Sequence, residues 1–318
     1  MKKLIITEEE KLQIKKLYNI ITEQTDNKVC LKRYKRLLND AVNWWKNWLN
    51  NSETEKKWNN LYYYKSSEIN PEKHPYSFVK SFWISSLENI KIIPFDKNTK
   101  VLYDSENRQI STEVISVSTA AFYNSKPYSS DIFVNCDFSG LSDEEIKNQI
   151  LIHEIQHMLN NVFPLNDMMD ISYKYYTFQQ PDNGYSATTE QDIVKEIGND
   201  NFMGLKKLFR DKTLEIYNRY MKESEEWEKS LSDDPGYTCS NGEKLSNLYS
   251  IRALLKINPN QQITSQLLLP YLTYQKEDNI NITSFLLCWS RRKFPPIDKY
   301  LNDFNALAIK DKGNSTAV

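Results

Sequence analysis

The residues best suited to chemistry lie near the middle of the chain, where residues 151–159 read LIHEIQHML and contain the pattern H-E-x-x-H. On a helix, residues four apart lie on one face a single turn apart, so His153 and His157 can bind the same metal ion. Catalytic Zn²⁺ usually has three protein ligands and a water, and the glutamate after the first histidine can take that water's proton. We therefore expect His153 and His157 to bind Zn²⁺ and Glu154 to act as general base and later as proton donor.

The same string could also occur by chance on an exposed helix, where it would have no function. Three features argue against chance. Two of the chain's three histidines lie in the motif, the helix around them is apolar, and predicted strands precede it. Ser142 and Glu145 also form an S-x-x-E capping box that can start this helix.

The third ligand is open at this stage. No histidine follows His157, which excludes the H-E-x-x-H-x-x-G-x-x-H pattern, and His74 lies upstream in a proline-flanked loop as a lesser alternative. The downstream candidates are glutamates: Glu190, Glu196, Glu215, Glu223 and Glu243. Glu243 is favoured because it begins a predicted helix after an Asn-Gly pair, although it could simply complement the helix dipole.

The elements that must position these residues can be predicted from periodicity. Residues 7 to about 90 have helical spacing, whereas residues 98–138 have the short alternating runs of strands, notably at 113–118 and 131–135. The motif helix should run to about Asn161, and a further amphipathic helix should cover 242–256. An edge strand, either 113–118 or 131–135, is expected to bind an extended peptide.

These elements predict an α+β fold in three regions of the 318-residue chain. Residues 1–95 form an N-terminal helical region, 96–258 carry a small mostly antiparallel sheet with the motif helix, and 259–318 form a C-terminal helical region with a disordered tail. In the first region Trp44, Trp45 and Trp48 recur at helical spacing. This stripe is interpreted as core, with a partner-docking surface as the alternative.

Composition restricts the partners and the location. The 41 basic and 42 acidic residues give a formal net charge of −1, so we expect no binding of nucleic acid or anionic membrane through a global positive field. No signal peptide or membrane-spanning run is predicted. The four cysteines are far apart and lack a CxxC pair, which we interpret as evidence against disulfides and for a reducing, cytoplasmic setting.

The motif, together with the later Tyr237, Gly242, Glu243 and Arg252, resembles the zincin-like peptidase domains of phage and mobile-element proteins, which pair an L-H-E-I-Q-H helix with a distant G-E-x-x-A-R helix. Residues 120–123 and 131–135 are similar to the strand pair that precedes the motif in predicted peptidases of crAss-like phages. The resemblance covers about residues 112–256. Ser246 and Asn247 depart from its second motif.

The resemblance implies a phage-encoded zinc metallopeptidase with Glu243 as third ligand, located in the host cytoplasm or in the virion, where other virion proteins would be partners. Tyr237 and Arg252 are the expected stabilisers of the oxyanion. One alternative is a non-catalytic structural or packaged virion protein that retains a peptidase-like fold. Another is a toxin or effector with the same chemistry, for which the sequence has no delivery signal.

Overall fold

Helices make up most of the structure, and a small sheet accompanies them, so the predicted α+β class is confirmed. The computed structural model describes residues 8–59, 74–96, 99, 101–110, 120–124, 130–137, 141–162, 186–230, 239, 241–258, 261–273 and 280–305. The predicted strand 113–118 and the predicted disordered tail from 310 lie outside these ranges.

The elements before the motif are mainly helical at first and then strands. The helices are α1 (Glu8–Leu49), α2 (Ser52–Asn59) and α3 (Tyr76–Glu88). The strands are β1 (Lys91–Phe95), β2 (Leu102–Tyr103), β3 (Gln109–Ile110), β4 (Ala121–Tyr123) and β5 (Asp131–Asn135). The described helices up to Glu88 and the strand at 131–135 are therefore as predicted, whereas β1 is a strand inside the region predicted to be helical up to residue 95.

The elements from the motif onward are helices. They are α4 (Asp143–Glu145), a π-helical turn (Ile146–Leu151), α5 (Ile152–Val162), α6 (Glu190–Ile197), α7 (Asn199–Phe209), a 3₁₀ turn (Arg210–Lys212), α8 (Thr213–Ser230), α9 (Asn241–Leu254), α10 (Ser265–Leu272), α11 (Ile280–Ser290) and α12 (Ile297–Asn305). Helix α9 corresponds to the helix predicted at 242–256.

The described sheet has the strand order β1-β5-β4, with β1 parallel and β4 antiparallel to β5. Strands β2 and β3 form a separate antiparallel pair. Strand β5 is buried along its whole length, as expected for a strand covered on both faces. Because β5 is paired with a strand on each side, the prediction that 131–135 is an edge strand is wrong. Strand pairing depends on distant segments, which periodicity does not reveal.

The motif helix starts as predicted. The Ser142 hydroxyl accepts from the Glu145 N–H while the Glu145 carboxylate accepts from the Ser142 N–H, which completes the capping box. A π-helical turn then precedes α5, and such turns are frequent at functional sites. Residues on several sides of this helix are buried, so it lies inside the protein rather than on its surface.

The N-terminal helices pack against the motif helix through tryptophans. Trp45 and Trp83 have no exposed surface, and their indole N–H groups donate to the carbonyls of Ile152 and Leu159 at 3.4 and 3.1 Å. Trp48 is also almost fully buried. The interpretation of the aromatic stripe as core is confirmed.

The cysteines are paired, and the interpretation that they argue against disulfides is wrong. Cys30 of α1 is bonded to Cys136 in the turn after β5, and Cys239 is bonded to Cys288 of α11. Their sequence separations are 106 and 49 residues, so only the tertiary fold brings each pair together. Wide spacing was therefore no evidence for reduced thiols.

One hydrophobic cluster includes residues from all three predicted regions, among them Trp45, Ile155 and Phe285. The predicted boundaries near 95 and 258 stay predictions. Among the described helices, none has the length and apolar character required to cross a membrane.

Candidate metal centre

Three metal-ligating side chains from two helices meet at one point. His153 and His157 lie one turn apart on α5, and Glu243 reaches them from the first turn of α9. The two histidine Nε2 atoms are 3.2 Å apart, and each lies 3.2 Å from a different carboxylate oxygen of Glu243. Within the described ranges this is the group of histidine, cysteine and acidic residues that could hold a metal ion.

The spacing of these donor atoms fits a small tetrahedral metal site. For bonds of about 2.0–2.1 Å, two ligand atoms on a tetrahedral ion should be about 3.3 Å apart. The 3.2 Å between the two histidine Nε2 atoms agrees with that value, as does the 3.2 Å from each Nε2 to the Glu243 oxygen nearest to it. Two imidazoles and one carboxylate are also a donor set that catalytic zinc uses, so the residues present fit Zn²⁺ in chemistry as well as in spacing.

Helix α9 can deliver Glu243 because its apolar residues pack on the motif helix. Leu245 and Leu248 are fully buried, and Ile251 has 1% of its surface exposed. The Glu243 side chain itself is 11% exposed, against 13% and 22% for the two histidines. The ligand atoms thus lie in a largely buried site with its more open side towards His157.

The charges of Glu243 and the two histidines influence one another's pKa. Burial raises the pKa of Glu243, but the two histidines lower it by more, so the net pKa is well below its usual range. Burial lowers the pKa of His153, yet Glu243, Glu154 and Asn281 raise it to a value above the ordinary one. The carboxylate of Glu243 therefore stays ionised beside the imidazoles.

Glu154 lies beside the group and is itself buried, with 9% of its surface exposed. Burial raises the pKa of its carboxyl, the two histidines oppose that rise, and the backbone N–H of Tyr123 donates to it. A carboxylate with a raised pKa is a stronger base, as a proton acceptor requires. The position and environment of Glu154 suit the predicted role of general base.

Sequence reasoning did not assign a role to Ser246, which lies one turn after Glu243 and faces the same site. Its hydroxyl forms a hydrogen bond with the Gln156 side-chain oxygen, and its oxygen lies 3.1 Å from His157 Nε2. Ser246 and Gln156 are both fully buried. The i to i+3 spacing from Glu243 was the available signal.

Arg252 is not brought to the metal group. It follows Glu243 by nine residues (252 minus 243), which is two and a half turns at about 3.6 residues per turn and places it on the opposite face of α9. Its guanidinium is buried, donates to the carbonyls of Asn258 and Gln261, and lies over the Trp48 ring. The predicted oxyanion role of Arg252 is therefore not supported by its position.

The remaining predicted candidates lie elsewhere. Tyr237 falls outside the described residues. His74 does not belong to the group, and its ring lies at a tilted angle near the ring of Phe78. Of the alternative glutamates, Glu190 pairs with Lys206 and Glu223 pairs with Arg219, and neither Glu196 nor Glu215 belongs to the group.

Comparison with known proteins identifies no relative: no family model, curated protein or solved structure matches the chain.

Proposed function

We propose that the chain is a zinc-dependent peptidase with a zincin-like catalytic centre, in which His153, His157 and Glu243 bind Zn²⁺ and Glu154 is the general base. The observation that carries this proposal is the set of three donor–donor distances of 3.2 Å beside a buried carboxylate. When bound, zinc would lower the pKa of a water molecule and polarise the scissile carbonyl.

The chain's own residues supply the proton transfers. Glu154 accepts the proton of the attacking water, and its raised pKa lets it hold that proton until the amide nitrogen leaves. Because Glu154 is buried next to the ligands, the proton moves over a short distance within one site. Amide hydrolysis balances in this scheme, since water adds across the C–N bond and Glu154 returns unprotonated.

Strand β4 supports a peptide as the substrate. Asn135 N–H donates to Ala120 O and Asn124 N–H donates to Asp131 O, so alternate residues of β4 bond to β5. The intervening Tyr123 turns its N–H away from β5, and this N–H reaches the Glu154 carboxylate. Among the strands that the structure describes, β4 lies at an edge of its sheet, and this edge faces the Glu154 carboxylate. A peptide added there would lie beside the metal group.

The two disulfides indicate the kind of compartment in which the protein acts. Disulfides persist in oxidising surroundings and are rare in a reducing cytosol. Two disulfides, of which Cys239–Cys288 is buried, therefore favour a protein that acts outside reducing cytoplasm, such as on or in a particle, over a cytoplasmic one.

The test is hydrolysis of a peptide library by the zinc-loaded protein and by its Glu154→Gln variant. We expect Glu154→Gln to keep its zinc and to lose activity by about 10² to 10⁴-fold, the usual contribution of a positioned acid–base group. Glu144→Gln, an exposed glutamate at the start of the same helix, is the matched control and should remain active.

Two outcomes would contradict the proposal in different ways. A wild-type protein that binds zinc but hydrolyses nothing, like Glu154→Gln, would favour the non-catalytic virion protein with a peptidase-like fold. Equal activity of wild type and Glu154→Gln would remove Glu154 from the mechanism.

A further inference from the structure

Helix α11, which follows the ligand-bearing helices in the chain, packs against α9 and also reaches the π-helical turn that leads into α5. Asn281 and Cys288 are seven residues apart (288 minus 281), which is about two turns, so they lie on the same face. Asn281 has 4% of its surface exposed and Cys288 has none. Both side chains are therefore buried against neighbours rather than directed to solvent.

Asn281 connects α11 with the motif helix. Its side-chain Nδ2 donates to the Gln149 carbonyl at 3.0 Å, in the π-helical turn just before His153. Its side chain also lies close enough to His153 to influence it, and His153 Nδ1 is buried with no hydrogen-bond partner among the described residues. An acceptor at Nδ1 fixes the ring so that Nε2 faces the metal, and Nε2 is the atom that faces Glu243 here.

Cys288 connects the same helix with the third ligand. Its partner Cys239 lies four residues before Glu243 (243 minus 239) and is also buried. The bond therefore anchors the chain just ahead of α9, whose first turn carries Glu243. The other disulfide, Cys30–Cys136, joins α1 to the turn after β5 and includes no residue of α5 or α9.

We propose that α11 positions the metal ligands from both sides, with Asn281 orienting His153 and the Cys239–Cys288 disulfide holding Glu243, so that zinc affinity depends on this disulfide being formed. The inference rests on the proposed zinc site but not on catalysis. Asn281 acts through His153 and is a positioning residue.

The first experiment compares the two disulfides by zinc titration against a competing chelator. We expect Cys239→Ser/Cys288→Ser to lose about 10 to 100-fold in zinc affinity, the usual effect of removing support behind a ligand. Cys30→Ser/Cys136→Ser should change it less than about threefold, although both variants lose a long-range cross-link of the unfolded chain. Equal zinc affinities in the two variants would overturn the role of the disulfide.

The second experiment separates orientation of His153 from simple packing and does not depend on the cysteine variants folding. Asn281→Ala should lose about 10 to 100-fold in zinc affinity, whereas Asn281→Asp keeps an acceptor oxygen for His153 and should restore it. Both variants lose the hydrogen bond to the Gln149 carbonyl, so both should melt below wild type. If zinc affinity followed the melting temperature in both variants, Asn281 would have only a structural role.

Zinc titration of the wild-type chain, together with the peptidase assay, distinguishes failure of the proposed metal site from failure of the proposed activity. A wild-type chain that binds no zinc would overturn the proposed metal site, and this inference with it. A chain that binds zinc without hydrolysing peptides would contradict the proposed function. The zinc affinities of the cysteine and Asn281 variants would still test the positioning role of α11.

Discussion

The motif helix α5 has two sides of opposite character. Towards α1 and α3 it meets the fully buried rings of Trp45 and Trp83, whose indole N–H groups donate to backbone carbonyls of α5. Towards α9 and α11 it meets the buried polar groups of Glu243, Ser246 and Asn281.

The aromatic side of α5 contributes mainly to the stability of the fold, whereas the polar side carries the metal-ligating groups. Burying a large aromatic side chain stabilises the fold, whereas burying carboxylates and imidazoles costs free energy unless they are paired or bind a metal. The aromatic side can therefore offset the cost of the polar side. If this is correct, changes on the two sides should affect different measurements.

The largest expected effect is on the polar side. Glu243→Gln should lower zinc affinity by more than about 100-fold, because loss of a ligand should exceed the loss caused by removing support behind one. Affinity is measured by competition with a chelator. The matched control is Glu215→Gln, an alternative ligand candidate that the structure places outside the group; a similar loss there would contradict the assignment of Glu243.

On the aromatic side, Trp83→Ala should lower the free energy of unfolding by about 3–5 kcal/mol, the usual cost of truncating a buried aromatic residue. Below its melting temperature the variant should still bind one equivalent of zinc. Phe82→Ala, at a neighbouring position of α3 that is 44% exposed, should cost under about 1 kcal/mol in the same urea titration. Loss of zinc from folded Trp83→Ala would break the separation of the two sides.

The parts of this arrangement that follow from local sequence could be predicted. The capping box at Ser142 and Glu145 involves residues three apart, and the pairing of His153 with His157 follows from one helical turn. Glu243 could be favoured because a helix start was visible in its neighbourhood.

The parts that depend on distant contacts could not be predicted. The central place of β5 and the pairing of Cys239 with Cys288 arise from segments that meet only in the folded chain. Asn281 has no sequence signal either, since its neighbours Gln149 and His153 lie more than a hundred residues earlier. The position of Arg252, in contrast, could have been predicted from the sequence, because its helical spacing from Glu243 already places it on the opposite face of α9.

Arg252 is a further test of the difference between the two sides, since it lies on α9 but its guanidinium lies over the Trp48 ring on the aromatic side. Arg252→Met should lower the free energy of unfolding by about 1–3 kcal/mol, because the carbonyls of Asn258 and Gln261 lose their buried donor. Zinc affinity and kcat/KM should stay unchanged. A fall in kcat without a fall in stability would instead return Arg252 to the oxyanion role.

The smallest effect is a pH dependence that reports the coupling within the polar side. Zinc binds neutral imidazole, so a proton on His153 competes with it. Because Glu243, Glu154 and Asn281 together raise the pKa of His153 despite its burial, that competition should begin above the ordinary histidine value of about 6.5. Zinc affinity should therefore fall as the pH is lowered, by about tenfold per pH unit for each proton displaced. Titrations between about pH 5 and pH 8, corrected for the chelator's own protonation, measure this slope. An affinity that stayed constant down to about pH 6 would show that His153 is neutral in the metal-free protein, and that Glu243 is held in place by packing rather than by charge.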